Sequence, residues 1–198
     1  PGWEIRAATL AAPDALRVAL RGLEAPAVFP FFMADGWFIR TLLPRALAEA
    51  GAQRPRLLRP FGLLPETAAL AVSVLEEALA AQGWAAADTT LVLAAHGSGR
   101  SPYPADAARA FQSAIALRLG FAENRLGFIE EAPELVEVAE GAGAQSLCLP
   151  LFVARWGHVE EDIPAALHAA GFAGVTLPPL GADPRVPAII AGAIAAAG

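Results

Sequence analysis

The sequence predicts an α/β fold of two similar units, each a small parallel sheet flanked by helices, the first lacking its opening strand. Three observations carry this. Strand-like apolar runs alternate with helix-like stretches along the chain, as in right-handed βαβ units. The runs are continuous, as in strands covered on both faces. And the chain repeats itself. Shifted by 120 positions, Pro13 falls on Pro133, Pro30 on Pro150 and Pro44 on Pro164.

The apolar runs around those prolines match as well. VFPFFMADGWFIRTLLPRAL (28–47) falls on CLPLFVARWGHVEEDIPAAL (148–167), and Gly51 falls on Gly171. After a one-residue slip RPFG (59–62) falls on PPLG (178–181). The expected units are therefore residues 1–82 and 90–198, joined by a linker over Gln82–Thr89. The same shift places the start of the first unit about thirty residues before Pro1. Its opening strand and helix are thus expected to be missing, and the absent initiator methionine favours a natural chain that begins earlier.

In chain order, Glu4–Leu10 reads as a short strand. Pro13–Gly22 reads as a helix with proline in its first turn, where a missing N–H costs nothing. Ala27–Phe32 is a buried strand, and Gly36–Ala50 a helix stopped by Gly51. Arg56–Arg59 is a strand and Pro65–Ala81 a long helix. The second unit reads as strand Thr90–Ala95, helix Pro104–Leu119, strand Arg125–Ile129 and helix Pro133–Glu140. Strand Ser146–Phe152, helix Gly157–Ala169, strand Gly174–Leu177 and helix Pro184–Ala197 complete it.

Bulk properties exclude several classes. The net charge of −6 opposes a nucleic-acid partner, which needs a basic face. No run reaches the roughly 18 apolar residues of a membrane span, and no signal peptide is visible. Cys148 is the only cysteine. It excludes an internal disulfide, fits a reducing cytoplasm and is expected to serve packing. Lysine is absent and all formal positive charge is arginine, which reads as codon bias.

In open parallel sheets ligands bind outside the carboxyl ends of the strands. Three polar groups stand there: His96 in LVLAAHGSGR (91–100), Glu130 in GFIEEAPEL (127–135), and His158 after LCLPLFVARWG (147–157). Two imidazoles and a carboxylate suit Co²⁺, Fe²⁺, Ni²⁺ or Zn²⁺ and leave coordination positions open. The imidazoles also accept protons near neutral pH. Singly, each has an ordinary alternative: a capping histidine, a helix-start acid, an exposed helix residue. The repeat weighs against those alternatives. Leu10 and Ala11 stand opposite Glu130 and Glu131, and Phe38 opposite His158. A scaffold requirement would act on both copies, whereas a single site acts on one. His168, mid-helix among alanines, reads as surface. The acid run Glu160-Glu161-Asp162 reads either as a solvated face or as a path that concentrates cations. Arg155-Trp156 offers a cation and a flat face to an anionic macrocycle.

AAHGSGR (94–100), FIEEAP (128–133) and PLFVARWGHVEEDIP (150–164), in that order and spacing, resemble the class II chelatases of tetrapyrrole biosynthesis, in the sirohydrochlorin cobalto- and ferrochelatase branch. Arg100 stands one position later than the arginine of that family's HGSR. The resemblance implies insertion of Co²⁺ or Fe²⁺ into sirohydrochlorin, with the metal as substrate and no organic cofactor. It implies His96 and His158 as metal ligands and proton acceptors, with Glu130 assisting. It covers the second unit nearly end to end and fits a two-unit chelatase. A cleft between two copies in one chain needs no dimer, so a monomer is expected. A non-catalytic tetrapyrrole- or metal-delivery protein is the alternative. A histidine phosphatase would need arginine before the His-Gly pair, where Ala95 stands.

Overall fold

The computed structural model describes residues 4–197. Residues 1–3, at the head of the expected first unit, and residue 198 lie outside it. The chain runs α1 (Ala15–Leu20), β1 (Ala27–Val28), α2 (Leu43–Glu49), β2 (Arg56–Leu57), α3 (Pro65–Gln82), then β3 (Thr90–Ala95), α4 (Tyr103–Ala116), β4 (Glu123–Phe128), α5 (Leu135–Ala139), β5 (Ser146–Pro150), α6 (Ile163–Ala169), β6 (Val175–Thr176) and α7 (Val186–Ala196). Both sheets are parallel, as the alternation requires. One pairs β1 with β2, and the other has the order β4-β3-β5-β6.

The second sheet is covered on both faces. Leu91, Leu93 and Ala95 of β3 pack into one cluster with Phe111 and Ile115 of α4 and Leu70, Leu75 and Leu79 of α3. Val92 and Ala94 point the other way, onto Leu135 of α5 and Ile163 and Leu167 of α6. This alternation makes β3 apolar from Leu91 to Ala95, since each of those residues meets a helix layer. The long helix α3 follows the first sheet in sequence but buries its apolar stripe in the cluster of the second. Phe29, Phe31 and Met33, after β1, pack against that same cluster. Core thus crosses the expected linker. The segment is not a free tether either: Trp84 and Ala86 pack into the cluster, and Ala122 N–H donates to the carbonyls of Ala86 and Thr89.

The repeat is physical. A π-helical turn over Phe38–Leu42 precedes α2, and a matching one over His158–Asp162 precedes α6. Gly62 and Gly181 occupy the same tight turn. Gly62 N–H donates to Phe32 O and Gly181 N–H to Phe152 O, each at 2.9 Å. A Cβ at either would fall 2.0 Å from Met33 O or 2.3 Å from Val153 Cα. Arg6 ties its segment to the carbonyls of Ala19 and Arg21, and Arg125 does the same with Val138 and Glu140.

One expected strand does not form. Glu4–Leu10 keeps the arginine tie of β4 but has no ladder. In the second sheet β4 pairs with β3, and among the described residues the first sheet has no strand equivalent to β3. A segment with no neighbour to take its N–H and C=O groups is not a strand. The strands expected over Ala27–Phe32, Arg56–Arg59 and Gly174–Leu177 shorten to two paired residues each, and Pro30 interrupts the first.

Candidate metal centre

His96 is the first residue past β3. The β3–β4 ladder continues one step into it: Ile129 N–H donates to Ala95 O and Glu130 N–H to His96 O, both at 3.0 Å. The ladder therefore fixes the backbone under His96 and Glu130 together. Phe152, past the end of β5, lies 6.3 Å from each imidazole, centroid to centroid. His158 opens the π-helical turn after Gly157.

These placements bring the three side chains to one point. His96 Nε2 is 3.8 Å from Glu130 Oε1. The two imidazoles meet edge to face, with centroids 4.6 Å apart and an interplanar angle of 84°. One donor atom from each of His96, Glu130 and His158 lies within 4.8 Å of the others. The side chains are 44%, 51% and 42% exposed respectively, so the cluster faces solvent at the open end of the sheet. His168 is exposed and outside this cluster.

Hydrogen bonds fix which ring nitrogens face the centre. His96 Nδ1 is 3.0 Å from Gly97 O. A carbonyl only accepts, so Nδ1 carries a proton, and in the neutral ring the lone pair is on Nε2. His158 Nδ1 is 2.6 Å from Asp162 Oδ2, with the same consequence. The turn after His96 is held by Glu131, whose Oε1 accepts from Ser98 N–H at 2.8 Å. Gly97 there has φ +72°, and a Cβ would fall 2.8 Å from Glu131 Cγ and Oε1. A left-handed residue against a side chain requires glycine.

The structure brings together the three residues that the sequence singles out, and adds supports that the sequence does not reveal. Asp162 was legible only as one of three neighbouring acids, though its i,i+4 spacing from His158 was the available signal. Glu131 had no signal separating it from Glu130. Trp156, expected to offer a flat face, is 76% exposed, and Arg155 and Arg100 are exposed too.

A sequence profile of the CbiX family matches residues 90–197. The chain belongs to the CbiX family, among the class II chelatases. It superposes with TM-score 0.88 and 46% identity on the CbiX described as the terminal enzyme for biosynthesis of siroheme in denitrifying bacteria, over 96% of this chain and 82% of that one. A multi-domain protein of Deinococcus radiodurans with structural similarity to chelatases matches at TM-score 0.70 and 25% identity, over 92% of this chain and 44% of that one. SirB of Bacillus subtilis with Fe³⁺ shares the fold, at TM-score 0.70 and 14% identity over 88% of this chain and 72% of that one. No curated protein sequence matches. The profile spans the unit that holds His96, Glu130 and His158 of this CbiX-family chain.

Proposed function

We propose that the protein inserts a divalent metal, Fe²⁺ or Co²⁺, into sirohydrochlorin, at a site made by His96, Glu130 and His158. The convergence of those three donors, within 4.8 Å of one another, carries the reading. Insertion places one M²⁺ in the ring and releases two protons from ring nitrogens. His96 and His158 bind the metal through Nε2, hand it over and take up those protons. Glu130 offsets the metal's charge and completes an open coordination sphere. The metal is substrate, and no organic cofactor takes part. The 46% identical relative works in siroheme biosynthesis, which favours Fe²⁺.

The same reading takes residues 1–82 and 90–198 as two copies; among the described residues only the second holds donors. It takes the protein as a cytoplasmic monomer with no nucleic-acid partner. Among the described residues no helix is long and apolar enough to cross a membrane.

The test supplies Fe²⁺ or Co²⁺ with sirohydrochlorin under anaerobic conditions and follows the absorbance of the metallated ring. His96→Ala and His158→Ala should each lose turnover while keeping the wild-type melting temperature. Full turnover by either variant rejects its role. Wild-type binding of both substrates without turnover would make the protein a carrier.

A further inference from the structure

We propose that Asp162 is a positioning residue for the metal centre: it holds the His158 imidazole with the proton on Nδ1 and the Nε2 lone pair open to the metal. This rests on the metal-site reading above.

Three observations carry it. His158 Nδ1 and Asp162 Oδ2 are 2.6 Å apart, well within hydrogen-bonding distance, and a bond to a carboxylate is charge-assisted. A carboxylate only accepts, so the bond selects one tautomer and one ring orientation. No residue other than Asp162 bonds to that ring nitrogen among the described side chains.

The repeat gives the second observation. The first copy has the same π-helical turn, with Phe38 and Leu42 at the positions of His158 and Asp162. Around them the scaffold is kept: Leu43 and Ile163 are both buried, as are Leu47 and Leu167, and Pro44 matches Pro164. The imidazole and its carboxylate are therefore replaced together while the turn that carries them stays. The turn needs neither residue, so Asp162 serves the histidine and not the helix.

The third is the neighbouring ring. His96 is held by a backbone carbonyl, which no side-chain substitution removes. His158 sits on a turn whose Gly157 has open space around it, and its side chain is 42% exposed. Without Asp162 that ring keeps its packing against His96 but loses the hydrogen bond that selects its tautomer. Losing the outer partner of a metal-binding histidine typically costs about 10–100-fold in affinity or activity.

The test compares Asp162→Ala and Asp162→Asn with wild type and His158→Ala. Co²⁺ affinity is measured by chelator competition, melting by calorimetry, and the tautomer of His158 by ¹⁵N NMR of the metal-free protein. Asp162→Ala should bind Co²⁺ about 10–100-fold more weakly, with an unchanged melting temperature and loss of the Nδ1–H signature. Asp162→Asn, whose amide oxygen still accepts from Nδ1–H, should keep the tautomer and recover most of the affinity. Wild-type affinity and tautomer in Asp162→Ala, beside a His158→Ala variant that has lost binding, overturn the role of Asp162 alone. Co²⁺ binding that His158→Ala leaves intact instead overturns the metal-site reading, whatever the NMR shows.

Discussion

Replacing Gly97 with alanine should damage the proposed metal centre by a calculable amount, through a neighbour that is not one of its proposed ligands. Gly97 has φ +72°, where a residue with a Cβ is disfavoured by about 1–2 kcal/mol. The new methyl would lie 2.8 Å from Glu131 Cγ and Oε1, and 3.0 Å from Phe128 Cβ. Phe128 belongs to a paired strand and is 1% exposed, so Glu131 must move. Its move breaks the 2.8 Å bond from Ser98 N–H, and a hydrogen bond to a charged group contributes about 1.5–3 kcal/mol. The total is about 2.5–5 kcal/mol. If the loop holds, melting falls by about 2–4 °C per kcal/mol. If the loop yields, His96 shifts, and a displacement near 1 Å lowers turnover about 10²-fold.

A double-mutant cycle separates the two contributions. In a Glu131→Ala background the carboxylate is already gone, so Gly97→Ala should cost only the backbone strain of about 1–2 kcal/mol. The coupling between the two substitutions should then be about 1.5–3 kcal/mol, measured by urea unfolding. Effects that add to within about 0.5 kcal/mol would show that Glu131 does not hold this turn.

Burial pushes the Cys148 thiol up to about 12, so a disulfide reagent at pH 8 should label it only after denaturation; rapid labelling of the folded protein contradicts its burial. Because the folded value is raised above 9.0, its stability contribution is complete below that pH and is lost as pH climbs toward about 12. The Arg185 guanidinium beside Asp183 holds that carboxyl below its ordinary range, so its contribution is present above that range and is lost as pH falls through the folded value. Asp183→Asn should flatten the acid limb of the urea midpoint from about pH 5 downward, and an unchanged limb counts against the pair. Gly62→Ala and Gly181→Ala each drive a Cβ into backbone at 2.0 and 2.3 Å and should each destabilise by about 3 kcal/mol or more; wild-type melting in either would deny that the two turns are equivalent.

The strand ends were legible because parallel sheets advertise them: an uninterrupted apolar run, then a polar group at a turn. That is how His96, Glu130 and His158 could be named without coordinates. Their supports were not legible, since an acid near a helix start looks the same whether it faces water or a histidine. The π-helical turns were also hidden, although the prolines hold an explanation. Pro44 and Pro164 lack the N–H that an α-helix would bond four residues back. The residue before each donates five back instead, Leu43 to Phe38 and Ile163 to His158, which is the π pattern. Glu4–Leu10 misled because a strand-like sequence states what a segment could bury and not whether a neighbouring strand is there to pair with it.

The two copies act as a control on one another. The glycine turn, the arginine tie and the π-helical turn occur in both, so they belong to the scaffold. Among the described residues the imidazoles and acids of the cluster occur in one, as the proposed chemistry would have it. The centre needs a histidine at the end of a strand like β3 and an acid at the end of its ladder partner, and among the described residues the first sheet has neither strand. The proposed metal centre is therefore set by the β3–β4–β5 edge, and the π-helical turn supplies only its third side chain.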